Sequence, residues 1–388
     1  MYLSEYDNLL VLLRNAIFGE CSMLPVAPDW QLLTRQARVH GVEPLVYDAA
    51  LRLPESQLPD RAMAMQMKQV CLYQMQQQTL WIPRIRAAVE ALRAKGIEPV
   101  LLKGFGLADL YPKPYLRSWG DADIWVGTEA YHTACGALRE AFPEAIHHDE
   151  EYEELKHYCF VFPDSNAIEL HRIAMDFPTP EEDAYWQTLE RTMAEGNGPL
   201  ALDGLIRTPQ EPLNLLFVFL HMWEHFCGTG TPIKQVLDLA LLVQRDYLSL
   251  DEAERQRYDT YLTTHLKRFR LQEAWQLVAY LTDYVTGVRL PLYDGSEPKN
   301  GRRFVEHVMS EGLGRKHEYV MGGSDRYDER ERIKQLPVWR RKLITLRGRF
   351  AHARFLAQFS PKYARHTLYA GICKGIRRTI RRERMIDY

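Results

Sequence analysis

Apolar residues recur at helical spacing through the first ninety or so residues of the chain. Leu9, Leu10, Leu12, Leu13 and Ile17 fall on one broad face, and Trp30 to Val39 repeats the pattern behind Pro28 and Asp29, a helix start signal. A longer helical stretch is predicted from about Pro59 to Ala94, rich in Met, Gln, Leu and Ala, with Gly96 as its C-terminal cap. Pro83 is expected to kink that stretch or to start a new helix, and Met63, Met65, Met67 and Met75 are expected to fill core space.

The period then shortens. Glu98 to Lys103 is a short apolar run ending in Gly104-Phe105-Gly106, and Asp121 to Val126 is a second strand-like run, with a brief helix and a loop between them. Residues Thr128 to Phe142 return to helix. His157 to Phe162 and Ala167 to His171, divided by Pro163-Asp164-Ser165-Asn166, predict a hairpin. Downstream, residues 211–226, 231–246, 250–266 and 270–285 each carry helix periodicity. The layout is α+β: a small mixed sheet at residues 95–175, between an N-terminal helical region (1–94) and a C-terminal helical domain (176–388) with a basic tail.

Composition narrows the class. The 388 residues are 46% hydrophobic and 26% charged, the range of ordinary globular proteins. The longest apolar run, Leu213 to Trp223, is about half of the ~20 residues a bilayer requires and contains Asn214 and His221, so no membrane span is expected. Glu5, Asp7 and Arg14 stand where a secretory leader would be basic and then apolar, which points to a cytoplasmic protein. The six cysteines are scattered with no C-x-x-C pair, which argues against a zinc ribbon or a disulfide framework. The net charge of −2 conceals an asymmetry: from Trp339 to Tyr388 there are 14 Lys/Arg against 2 Asp/Glu.

Candidate chemistry concentrates between the two predicted strands and the hairpin. On a strand, alternate side chains share a face, so Asp121 and Asp123 project together while Ala122 and Ile124 pack on the other side. Glu169, on a neighbouring strand, can supply a third carboxylate, with His171 on its face. Three acids around two divalent cations make a site for phosphoryl or nucleotidyl transfer. Gly104 and Gly106 let backbone amides approach a phosphate, a helix starting near Phe105 is expected to offer its N-terminus, and Lys103 and Arg117 add positive charge.

At these residues a family resemblance emerges. The segment LLKGFGLADLYPKPYLRSWGDADIWV resembles the signature of the uncharacterised bacterial nucleotidyltransferase family of the DNA polymerase beta superfold. AIELH is similar to that family's strand bearing the third acid. The helical stretch with His221, His225, Lys234 and Asp238 is similar to its downstream segment, so the resemblance covers roughly residues 95 to 245. It implies Asp121 and Asp123 as metal ligands, Glu169 as the acid that orients or deprotonates the acceptor hydroxyl, and Gly104 at the phosphate turn. The implied cofactors are Mg²⁺ or Mn²⁺ with an NTP as co-substrate, and Lys234 joins the nucleotide-binding set with Lys103, Gly104, Gly106 and Arg117. Two departures stand out: Phe105 occupies the place of a serine usual in the wider superfold, and the third acid is Glu where Asp is common.

Competing readings attach to the same chain. A protein that keeps the fold but only binds is one. His221-Met-Trp-Glu-His225 also has the H-x-x-E-H spacing of an inverted zinc peptidase, with His221, Glu224 and His225 in the metal and base roles and Glu252 or Glu254 as candidate third ligands. Structural packing of those histidines, or a place in a nucleotide or acceptor pocket, are the alternatives. Lys234 and Asp238, one turn apart, read as a surface ion pair. The basic tract from Arg340 reads as a helix docked on the acidic body, or as a surface for nucleic acid, RNA among them, or an anionic membrane surface, and His147-His148-Asp149 as a surface loop. The acceptor, whether small molecule, peptide or RNA, is not encoded in spacing.

Overall fold

The computed structural model describes residues 4–146, 156–164, 166–312 and 335–369. His147 to Asp149 and the last basic residues of the chain lie outside these. The N-terminal region is helical: α1 (Asp7–Phe18), α2 (Trp30–His40), α3 (Glu43–Ala50) and α4 (Arg61–Ala94). Asp29 caps α2 by accepting from the Leu32 amide at 3.0 Å, and Asp60 caps α4 by accepting from Met63 at 2.8 Å. α4 continues through Pro83 as one helix, so the proline does not start a new one. Trp81 and Ile85, on either side of it, are fully buried on one face. Burial of each is worth roughly 1.5–3 kcal/mol, enough together to offset the ~3 kcal/mol cost of an interior proline. Of the methionines, Met67 is buried, whereas Met65 and Met75 face solvent.

A six-stranded mixed sheet forms the centre. Its strands are β1 (Val100–Leu102), β2 (Asp121–Trp125), β3 (His157–Val161), β4 (Ala167–His171), β5 (Leu200–Ala201) and β6 (Ile206–Arg207), in the order β3-β4-β2-β1-β6-β5. β1 pairs antiparallel with β2, β2 parallel with β4, and β3 with β4 as the expected hairpin. β5 and β6, beyond residue 175, extend the sheet past the sequence-based boundary of the central region.

The two faces of the sheet serve two cores. Leu101, Ala122, Ile124, Ile168 and Leu170 pack with the second half of α4 and with α6 (Gly127–Ala141). Val100, Leu102 and Trp125 face the other way, into a larger core shared by the N-terminal helices and by α9 (Leu213–Gly228), α10 (Ile233–Leu242), α11 (Glu252–Arg268), α12 (Gln272–Thr286) and α13 (Gly301–Glu311). Between sheet and helices lie α7 (Pro180–Glu190) and α8 (Thr192–Glu195). Among the described residues the last long helix, α14 (Val338–Leu356), meets the body only through its final turns: Val338, Trp339, Leu343, Ile344, Leu346 and Phe350 are exposed, and only Ala353 and Leu356 are buried.

Candidate active site

The period-two alternation of β2 puts Asp121 and Asp123 on the face toward the larger helical core, opposite Ala122 and Ile124. In the parallel ladder Asp123 is directly across from Glu169, and Asp121 across from Ala167. Glu169 is in turn across from Cys159 on β3, and His171 across from His157. One sheet face thus carries a row of ligating side chains over three strands.

Hydrogen bonds tie the acids to their surroundings. His171, buried, brings Nε2 to 2.9 Å from Asp123 Oδ1 and 3.5 Å from Glu169 Oε2. Burial works against charge on the His171 ring, but its bonds to Asp123 and Glu169 outweigh that, and its pKa ends above the ordinary value. For Glu169 the sense is opposite: burial would raise its pKa, the His171 bond lowers it, and the carboxyl ends below the usual range. Burial and the neighbouring Asp123 push the Asp121 carboxyl up. Crowded, desolvated carboxylates of this kind require positive charge nearby.

Part of that charge is built in. The Lys103 ammonium lies 3.2 Å from Asp123 Oδ1 and donates to His221 Nε2 at 2.8 Å. Burial opposes charge on Lys103, but Asp123, Asp121 and Glu169 outweigh it, and its pKa is raised. Lys234 is the second cation whose field reaches Asp121. Its ammonium donates to the Ser118 carbonyl at 3.4 Å, and burial together with Arg117 lowers its pKa to about 8.

The backbone at the end of β1 turns sharply. Lys103 and Gly104 both have positive φ, and Gly104, at φ 40° and ψ −110°, holds a conformation open to glycine alone. The expected helix near Phe105 is only the four-residue turn Lys103–Gly106 (α5), too short to present a dipole, so that phosphate argument falls away. Gly106 answers to packing: a Cβ there would meet the Leu101 carbonyl at 3.0 Å and Thr208 Cγ2 at 3.1 Å. Phe105, in the usual serine place, is buried against Trp119 at 4.3 Å and Trp81 at 5.8 Å between centroids.

Arg117 has a different partner from the expected phosphate. Its guanidinium makes a buried bidentate pair with Asp238, at 2.8 and 2.6 Å, and Tyr111 Oη donates to the same carboxylate at 2.8 Å. Asp238 is therefore not half of a surface pair with Lys234 but the anchor that ties α10 to the loop before β2. The Ser118 hydroxyl adds a bond to the Gly41 carbonyl, drawing in the N-terminal helices.

The α9 histidines continue this network, and among the described residues no third ligating side chain joins them. His225 Nε2 lies 3.1 Å from His221 Nε2, and the Thr229 hydroxyl is hydrogen-bonded with His225 Nδ1 at 3.0 Å. Burial and Lys103 lower the pKa of both rings, to about 4 for His225. Glu224 pairs instead with Lys156 at 3.3 Å, and Glu254 belongs to the capping box of α11 with Asp251. Among the described residues, the side chains grouped closely enough to share one ion are Asp123, Glu169 and His171, and His157, Cys159 and Glu169. His157 and Cys159 escaped the sequence reading. Their alternation in HYCFV was visible there, but the hairpin register that sets them beside Glu169 was not.

A family profile described as an uncharacterised nucleotidyltransferase matches residues 27–287, about two thirds of the chain. No curated protein and no solved structure matches it.

Proposed function

The chain belongs to the uncharacterised nucleotidyltransferase family, and we propose that it moves a nucleoside monophosphate from an NTP to a hydroxyl or similar group of an acceptor, with two Mg²⁺ or Mn²⁺ held by Asp121, Asp123 and Glu169. The observation that carries this reading is the pairing of Asp123 with Glu169 across adjacent parallel strands, with Asp121 two positions back on the same face. The donor set fits hard divalent ions, because carboxylate oxygens in a desolvated cluster are what such ions select. When bound, the ions would spread the negative charge of the triphosphate and sharpen the acceptor hydroxyl.

The remaining roles fall to the chain itself. Lys103 and Lys234 supply positive charge where the triphosphate would lie, Lys103 leaving Asp123 as it does so. The Lys103–Gly104 turn carries the chain past the end of β2 in a backbone conformation that only glycine takes at 104. Glu169, which stays ionised below the usual carboxylate range, can take the proton of the acceptor hydroxyl. His171 holds Asp123 and Glu169 in place. The acceptor is a small molecule, a peptide or an RNA, the last being the version to which the exposed basic α14 would contribute. Among the described residues no helix is long and apolar enough to cross a membrane, and a cytoplasmic location goes with that reading.

The test is incubation of the protein with each labelled NTP, Mg²⁺ and cell extract, with mass spectrometry of whatever gains a nucleotide. Transfer that disappears in Asp121→Asn and Asp123→Asn supports the reading. NTP binding without any transfer would favour a binding protein on the same fold.

A further inference from the structure

His157 and Cys159 sit on one face of β3, and the hairpin register sets Cys159 against Glu169. The Glu169 carboxylate is shared between two neighbourhoods. Its Oε2 faces His171, whereas its Oε1 lies 3.6 Å from His157 Nε2 and 3.7 Å from Cys159 Sγ. The three ligand atoms of His157, Cys159 and Glu169 all fall within 4.8 Å of one another. At 3.6 Å the His157 contact is too long for a hydrogen bond, and His157 Nδ1 is buried with no partner. Hydrogen bonding therefore does not explain why this ring faces Glu169.

The spacing also fits a tetrahedral ion. With metal-ligand bonds of about 2.0–2.3 Å to nitrogen, oxygen and sulfur, neighbouring vertices of a tetrahedron lie about 3.3–3.8 Å apart. Both measured separations to Glu169 fall in that interval. The donor set of one imidazole, one thiolate and one carboxylate also differs from the all-oxygen set of a magnesium site, since sulfur and imidazole select ions of the zinc class. We propose that His157, Cys159 and Glu169 form a three-ligand site for a thiophilic divalent cation such as Zn²⁺, distinct from the magnesium pair and sharing only Glu169 with it. Binding replaces the Cys159 S–H bond with a sulfur-metal bond and releases the proton to solvent. Because Glu169 is common to both sets, an ion here withdraws a carboxylate from nucleotidyl transfer. The site itself stands on its own ligands and not on the transferase reading.

The experiment uses the full chain stripped of metal by a chelator, with neither Mg²⁺ nor NTP, titrated with Co²⁺. The expected result is a thiolate-to-cobalt charge-transfer absorption that saturates near one equivalent and is bleached by Zn²⁺. Cys159→Ser should abolish it, His157→Ala should weaken cobalt affinity by about tenfold or more, and Asp121→Asn should leave it in place. As a measurement on the unaltered protein, Zn²⁺ should protect Cys159 from alkylation, read by peptide mass spectrometry. Absence of the thiolate band, its persistence in Cys159→Ser, or alkylation of Cys159 at an undiminished rate would each overturn the proposal. Failure of nucleotidyl transfer would leave the cobalt titration unchanged, so the two ideas fall separately.

Discussion

The Lys103 ammonium lies 3.2 Å from the Asp123 carboxylate, on the face where the acids gather. A tethered cation there competes with any dissolved one, yet it also supplies charge for a triphosphate. Lys103→Ala should therefore act with opposite signs on two ligands. Mn²⁺ alone should bind about tenfold more tightly, and KM for the NTP should rise by about tenfold, each corresponding to ~1.4 kcal/mol. Electron paramagnetic titration of Mn²⁺ and steady-state kinetics read the two effects, and shifts in the same direction would contradict this role for Lys103.

Asp123→Asn should lower transfer by about a thousandfold, as expected when several kcal/mol of charge stabilisation is removed. Because the same change leaves Lys103 and His171 facing a neutral amide, thermal stability should fall as well. Glu169→Gln should cost comparable activity with a smaller loss of stability, since Glu169 is the more exposed of the two, at 19% against 2%. Single-turnover transfer and calorimetry on each variant separate the effects.

The buried pair of Arg117 and Asp238 predicts a fold effect where a phosphate ligand would give a binding effect. Arg117→Ala strands the Asp238 carboxylate beside Tyr111 and should destabilise the protein by about 3–5 kcal/mol. In molecules that remain folded, KM for the NTP should change little. A large rise in KM at unchanged melting temperature would return Arg117 to the nucleotide.

Lys234 has its pKa lowered to about 8 by burial and by Arg117. It carries its charge below that pH and loses it above. If that charge holds the triphosphate, KM should rise as pH climbs past about 8, and Lys234→Met should show the raised value already at neutral pH with no further rise. A KM profile unaffected by Lys234→Met would remove the residue from the site.

Glu211 supplies a pH test of stability away from the acids. Burial raises its pKa to about 7, although its Oε2 accepts from Tyr258 at 2.6 Å and from the Leu215 amide at 3.2 Å. A carboxyl raised on folding contributes stability below its free value near 4.5 and loses it as pH rises through about 7. Glu211→Gln should therefore raise the melting temperature at pH 8 relative to wild type and leave it nearly unchanged at pH 4, measured by calorimetry in matched salt.

The acid row was legible because its signal is local. Alternation along DADIW assigns Asp121 and Asp123 to one face without knowledge of the rest of the chain, and Pro163 to Asn166 announce the turn that brings back Glu169. What stayed hidden depends on distant partners. Asp238, which claims Arg117, is 121 residues away in sequence. β5 and β6 have two residues each, too few to show a period. Phe105 looked like a lost serine, and only the packing with Trp119 and Trp81 gives it a purpose.

The uninterrupted course of α4 has a mechanical consequence. Its first half reaches the larger core through Met67 and Cys71, and its second half, from Trp81 to Leu92, is embedded in the core beneath the sheet. This single helix of 34 residues, about 50 Å along its axis, bridges the two cores. Sharing one helix opposes the two cores swinging apart and favours entry to the acids past side chains and short loops such as the one carrying Ser118.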